Sequence, residues 1–194
     1  MSENKNEVII GKDVHVILIG HKKRQGKDTF ALELWSYLGY KGVKTDIMHF
    51  ADPLKSIMAE AIGVSRNTLD MLKNENDYYR GMLQRFGSGK MKEYFGQMCW
   101  KDIIERQVRE AYVKDGTRFV IVPDFRFPQE YMEGATTVNV VRPDQVSKDD
   151  HISETALDGY AYHHKVVNDG TLADLHEKAK LMATELMLGA GLLF

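Results

Sequence analysis

Apolar residues run almost unbroken over residues 14–19, VHVILI, and stop at Gly20. So short and β-branched a run predicts a buried strand. The period then changes. Phe30, Leu34 and Leu38 recur four apart, which predicts a helix over residues 27–38 with one buried face. Residues 44–50 predict a second strand. Asp52 then stands as an N-cap and Pro53 where a helix can start, and that helix runs to about Ile62 and ends at Gly63. Residues 65–98 carry helical stretches rich in Met, Tyr, Lys and Arg, broken by FGSG at 86–89. A better helix follows over residues 100–114 and closes at Gly116. Residues 118–122 and 136–141 read as the third and fourth strands, and 165–167 as a short fifth. Residues 171–188 predict a long terminal helix with Asp174 at the capping-box position.

Strands thus alternate with helices, the pattern of an α/β fold whose parallel sheet is covered on both faces. No repeat or linker interrupts it. The expectation is one domain over residues 1–194, with residues 65–98 as a helical insertion over the sheet edge. The 194 residues are enough for a sizeable core. A net charge of -2 removes the case for a DNA-binding or membrane-binding surface, so any attraction for phosphate must be local. Cys99 is the only cysteine, which excludes an intramolecular disulfide and fits a reducing compartment. The polar N-terminus has no signal-peptide core, and no run approaches the length of a membrane span. A cytoplasmic protein is expected.

The junction of the first strand and helix carries the chemistry. GHKKRQGKDT places Gly26, Lys27 and Thr29 between a predicted strand and a predicted helix. Backbone N–H groups and the helix dipole can hold phosphate there, a lysine can reach the β- and γ-phosphates, and a hydroxyl can bind Mg²⁺. The pattern departs from G-x-x-x-x-G-K-[ST] twice. His21 stands where the first glycine is expected, with Gly20 one residue early, and Asp28 displaces the hydroxyl to Thr29. A basic turn capping a helix is the bland alternative. Lys22, Lys23, Arg24 and Lys27 put four cations within six residues, a density suited to a polyphosphate. Asp28 either helps hold Mg²⁺, orients a phosphate acceptor, or is simply an acid favoured at a helix start.

A series of motifs in order resembles one family, the deoxynucleoside monophosphate kinases of tailed bacteriophages. GHKKRQGKDT looks like that family's phosphate loop, in which Lys-Asp-Thr is the normal form. HFADPLK at 49–55 looks like its second-strand motif, and LQRFGSG at 83–89 like its Leu-Gln-x-x-Gly-Thr segment, with Ser88 for threonine. Trp100 sits where the family has a substrate-side tryptophan. PDFRFPQE at 123–130 is similar to its Asp-x-Arg-Phe-Pro-x-Glu, and HISE and VVNDGTLADL resemble its C-terminal segments. Together these span nearly all of residues 14–188. The resemblance implies a three-layer P-loop NTPase-like domain with about five strands and a helical lid. It also implies an ATP- and Mg²⁺-dependent phosphorylation of a deoxynucleoside monophosphate in the host cytoplasm, and suggests a homodimer.

The residues admit both functional and structural roles. Lys23, Arg24, Gln25, Gly26, Lys27, Asp28 and Thr29 form the donor-phosphate segment, with Thr29 and Asp28 on the metal. Arg80 and Arg85, with Gly87 and Ser88, bracket a loop able to close over nucleotides, since arginine grips phosphate by a planar fork. Trp100 either stacks on a base or fills the core. Asp124 and Arg126 lie two apart beyond a strand end, with Glu130 following. They form a structural ion cluster or hold the acceptor, and the resemblance favours the acceptor. Lys22 joins that substrate set. Asp52 is a helix cap or lies near the acceptor. Ser153 caps a turn, the roles of His151 and Glu154 are open, and Asn168-Asp169-Gly170 turns the chain into the last helix, near where such folds accept adenine. Lys27, Asp28 and Arg126 are the expected catalytic groups. The rivals are another small-molecule kinase of this fold and a nucleotide-binding regulatory module without turnover.

Overall fold

The computed structural model describes residues 8–20, 22–145 and 152–192, with the backbone alone at 88–90. Among these, the sheet has five strands: β1 (His15–Gly20), β2 (Thr45–Ile47), β3 (Phe119–Phe125), β4 (Thr136–Val141) and β5 (His164–Val167). Their order is β2-β3-β1-β4-β5, and every pairing is parallel. β1 is central. Ile17 and Ile19 face one side and Val16 and Leu18 the other, and all four are buried, which explains the unbroken apolar run.

On one face lie α1 (Lys27–Tyr40) and α8 (Leu172–Gly189). Phe30, Leu34 and Leu38 of α1 meet Ala179, Met182 and Ala183 of α8 over Ile17, Ile121 and Val138. Each large side chain so buried contributes roughly 1.5–3 kcal/mol. The capping box at the start of α8 forms as expected: Thr171 Oγ1 accepts from Asp174 N–H at 3.3 Å, and Asp174 Oδ2 accepts from Thr171 N–H at 2.7 Å. On the other face α6 (Cys99–Asp115) packs Trp100, Ile104 and Val108 against Val16, Val120 and Phe125. The helix stops where Gly116 turns left-handed at φ 71°.

Between β2 and α6 lie α2 (Ala51–Ala61), α3 (Arg66–Glu75), α4 (Asp77–Gln84) and α5 (Met91–Phe95). Met58, Leu69 and Leu83 form a small separate core there. Two expectations need correction. Asp52 does not cap α2. The cap position is Phe50, and the Asp52 carboxylate instead pairs with Arg66 at 2.7 Å and His49 at 3.3 Å. FGSG does not break the helix either. The backbone passes from α4 to α5 through a π-helical segment, Arg85–Lys90, that contains both glycines. Such wide turns recur at functional sites. Gly87 packs close to α2: a Cβ there would lie 2.4 Å from Leu54 Cδ2, so the leucine side chain would have to shift. No helix among the described residues is long and apolar enough to cross a membrane.

Candidate active site

Gly20 pairs with Phe125, so β1 and β3 end side by side and their exits share one edge of the sheet. In open α/β sheets that edge holds ligands. The loop leaving β1 enters left-handed backbone twice, at Arg24 (φ 60°) and Gly26 (φ 92°). Turns of this kind before a helix make anion-binding concavities. A Cβ on Gly26 would lie 2.4 Å from Asn168 Nδ2, an amide that donates to Gln25 O at 3.0 Å. Gln25 is buried. Its Oε1 accepts from Arg142 N–H and its Nε2 donates to Gln145 O at 3.1 Å. The loop is therefore fastened to the chain beyond β4 and beyond β5, and the Gln25 side chain serves that fastening.

Helix α1 starts at Lys27, and the first N–H groups of a helix have no partner within it. Lys27 is only 6% exposed, and its ammonium donates to Lys22 O at 2.7 Å. Burial pushes its pKa down, and the Arg126 charge adds to this, against Asp28, Glu154 and Asp124. Asp28 and Thr29 are exposed on the first turn, as are Lys23 and Arg24 in the loop. An exposed hydroxyl and carboxylate suit Mg²⁺, which takes one or two protein oxygens and completes its shell with phosphate and water. Among the described residues no cluster of three or more His, Cys, Asp or Glu side chains forms a cage for a metal by itself. Lys22 turns to Asp158 at 2.8 Å and lines a different cavity, beneath the end of β4, with Arg142 and Tyr160. His21 and His151 lie outside the described residues.

Beyond β3 a cavity of about 240 Å³ opens between α2, the π-helical segment and α6. It brings together Gly87, Trp100, Asp124, Arg126 and Glu130, five residues expected at the acceptor. Trp100 is buried, and its indole N–H donates to Gly87 O at 2.9 Å, so it braces the wide turn as it walls the cavity. Both oxygens of Asp124 cap α2, accepting from Phe50 N–H at 2.9 Å and Ala51 N–H at 3.1 Å. Burial pushes its pKa up, against the nearby His49 charge and those two bonds. Asp124→Ala would leave both N–H groups without an acceptor. It is expected to lower stability by about 1–2 kcal/mol, read as a lower urea midpoint, and an unchanged midpoint would deny the capping role.

Glu130 Oε2 accepts from Arg126 N–H at 2.8 Å and Phe127 N–H at 3.0 Å. Burial raises its pKa from 4.5 to about 7, aided by the Asp124 charge and opposed by the two N–H groups. A carboxyl with a raised folded-state pKa contributes stability fully below its unfolded value and loses it as pH rises through the folded value. Between pH 4.5 and about 7, wild type should therefore lose stability relative to Glu130→Gln, which keeps an acceptor oxygen and cannot ionise. The loss should be on the order of 1–2 kcal/mol, trimmed by water in the open cavity. Parallel denaturation curves for the two proteins across that window would refute it.

Arg126 pairs through its side chain with neither Asp124 nor Glu130. Its Nη1 donates to Glu154 Oε1, and Glu154 Oε2 accepts from Lys23 N–H at 2.7 Å. Like Lys22, the expected residues Arg80 and Arg85 stay apart from the cavity. Arg80 is exposed near Asp77, 3.9 Å away, and donates to Lys73 O. The Arg85 guanidinium lies over Gly81. The Ser88 side chain is outside the described residues. Sequence reasoning missed Lys92, which lines the cavity with its ammonium 4.6 Å from the Phe127 ring centre. Nothing in the sequence separates it from Lys90. It also left Glu154 without a role, although HISE was part of the resemblance.

With this geometry in place, the comparisons add a family. The family model for deoxynucleotide monophosphate kinases matches residues 64–179. Among curated proteins, the chain is similar to the deoxynucleotide monophosphate kinase of Enterobacteria phage T4, 32% identical over 117 residues, 57% of this chain and 48% of that protein. It is also similar to the enzyme of that name from Escherichia phage RB69, 29% identical over 116 residues, 56% of this chain and 47% of that protein. The chain thus spans about half the length of the curated relatives it matches. The loop between β1 and α1 precedes the residues matched by the family model, so reading it as a phosphate loop rests on its own geometry.

Proposed function

The chain belongs to the deoxynucleotide monophosphate kinase family, and from that premise we propose that it transfers the γ-phosphoryl group of ATP to a deoxynucleoside 5′-monophosphate, supplying a DNA precursor in the host cytoplasm. One observation carries the reading. The loop after β1, with left-handed Arg24 and Gly26, and the cavity beyond β3 leave neighbouring strands at one sheet edge, and Arg126 lines that cavity while Glu154 links it to the loop N–H of Lys23. The transfer step engages the polyphosphate of the donor rather than its base.

Phosphoryl transfer asks little covalent chemistry of a protein. Positioning and charge neutralisation do the work. The loop and the start of α1 would hold the donor phosphates by backbone N–H groups, and Lys27 would leave Lys22 O for the β- and γ-phosphates. Mg²⁺, held through Thr29 and Asp28, would neutralise phosphate charge. On the acceptor side Phe127 and Trp100 would flank the base, Glu130 would meet its edge or the sugar, and Lys92 and Arg126 would take the monophosphate. Asp124 would hold the start of α2, and so the cavity wall, in place. Arg80, Arg85, Gly87 and Ser88 belong to a segment over residues 65–98 that would close on the nucleotides, and Lys22 would exchange Asp158 for a substrate phosphate.

The test is a panel of the four deoxynucleoside monophosphates and their ribose forms, each with ATP and Mg²⁺, followed by ADP release. Turnover with at least one deoxynucleotide is expected. Turnover only with a nucleoside or a coenzyme precursor would make this another small-molecule kinase. ATP binding with no ADP release on any acceptor would make it a regulatory module.

A further inference from the structure

Glu154 sits in α7 (Ile152–Thr155), a single turn ahead of β5, and is 3% exposed. A buried carboxylate is costly unless its charge is balanced and its oxygens are bonded. Here both oxygens are engaged, and their partners come from opposite halves of the site. Oε2 takes the backbone N–H of Lys23, in the loop after β1. Oε1 takes Arg126 Nη1, in the segment after β3. Lys27 adds its charge from the start of α1. Burial alone would raise the pKa of Glu154, but the Lys23 N–H, Arg126 and Lys27 outweigh it and hold it below its ordinary value. It is therefore an anion at neutral pH.

Arg126 keeps 28% of its side chain exposed and lines the acceptor cavity. A guanidinium has five donors in a fixed plane. Gripping one nitrogen fixes the direction of the others. Neither nearby acid competes for this role, since Asp124 is spent on α2 and Glu130 on the Arg126 and Phe127 backbones.

We infer that Glu154 is a positioning residue that ties Arg126 of the acceptor cavity to the backbone of the phosphate loop, so that donor and acceptor sites keep a fixed separation. The inference rests on the phosphoryl-transfer reading above. In this role Glu154 acts through Arg126 and the loop, its two oxygens being taken by Arg126 Nη1 and Lys23 N–H. A substitution that keeps its size and removes its charge leaves the loop N–H an acceptor but sets an amide against Arg126.

The experiment compares the full chain with Glu154→Gln, Glu154→Asp, Arg126→Lys and the Glu154→Gln/Arg126→Lys double variant, using whichever deoxynucleotide the wild type accepts. Wild type is the control for the reading itself: if it turns over no monophosphate, that reading fails before Glu154 is judged. Glu154→Gln is expected to lower kcat about a hundredfold, the scale of one charged hydrogen bond, with KM for ATP changed less than about threefold. If Glu154 acts through Arg126, the double variant should be no slower than the worse single variant. Should Glu154→Gln fail to fold, Glu154→Asp, which keeps the charge but falls a methylene short of bridging both partners, should show the same kcat loss. Multiplying losses in the double variant would overturn the inference, as would Glu154→Gln activity within about twofold of wild type. Tighter ATP binding and faster turnover in Glu154→Gln would overturn it in the other direction, by showing the carboxylate to be a plug in the place of a phosphate.

Discussion

Replacing Lys27 by alanine is expected to lower kcat/KM at least about a thousandfold, ~4 kcal/mol of transition-state stabilisation, without lowering the melting temperature. The first half follows from its place at the start of α1, where its buried ammonium is held on the loop at Lys22 O. The second half follows from its electrostatics. Burial and the neighbouring Arg126 disfavour the ammonium in the folded chain, so its removal relieves a cost. The lost bond to Lys22 O is the opposing cost. Steady-state kinetics and calorimetric melting on the same preparation decide the matter. Activity within about tenfold of wild type, roughly 1.4 kcal/mol, would remove the phosphate-loop assignment.

Arg126→Lys should cost about 1.5–3 kcal/mol in turnover with the monophosphate, while ATP affinity measured by calorimetry stays near wild type. Lysine keeps the charge but loses the planar fork, and with it the ability to hold Glu154 on one edge and a phosphate on another. Weakened ATP binding with normal acceptor kinetics would move Arg126 to the donor side. A fall of many degrees in melting temperature, with both ligands bound poorly, would make the Arg126–Glu154–Lys23 bridge a structural tie alone.

The strands and the α1 and α8 helices were legible because burial on both sheet faces writes itself as apolar runs and fourfold spacing, as in residues 14–19 and in Phe30, Leu34 and Leu38. Gly87, Trp100, Asp124, Arg126 and Glu130, the residues expected at the acceptor, stood out as motifs, and the structure gathers them around one cavity. What they hold was not legible. Asp124 looked like a partner for Arg126, yet the start of α2 lies closer to its oxygens, and that contact spans 74 positions of sequence. Arg126 finds its acid 28 positions later, in Glu154. Pairings set by tertiary proximity leave no local spacing to read. The FGSG segment misled for a different reason. Two glycines within four residues normally end a helix, but Trp100 supplies a donor to the Gly87 carbonyl and Leu54 packs against Gly87 where a side chain would stand. Those contacts favour a widened turn over a break.

The strand order has a consequence for how the protein acquires its shape. β1 precedes both of its neighbours in the sheet, β3 and β4, by more than ninety residues of chain. β1 cannot be zipped up until the chain through β3 and β4 has left the ribosome, and closing loops of that length delays folding. By contrast, α2, α3 and α4 meet through near neighbours in sequence, around Met58, Leu69 and Leu83. That cluster can condense while β1 still waits. The loop between β1 and α1, which takes its form from β1 behind it and from Arg142, Glu154 and Asn168 around it, is then among the last parts to be finished. A nascent or truncated chain lacking β4 and β5 would have helices but no competent loop, so nucleotide binding would report complete folding.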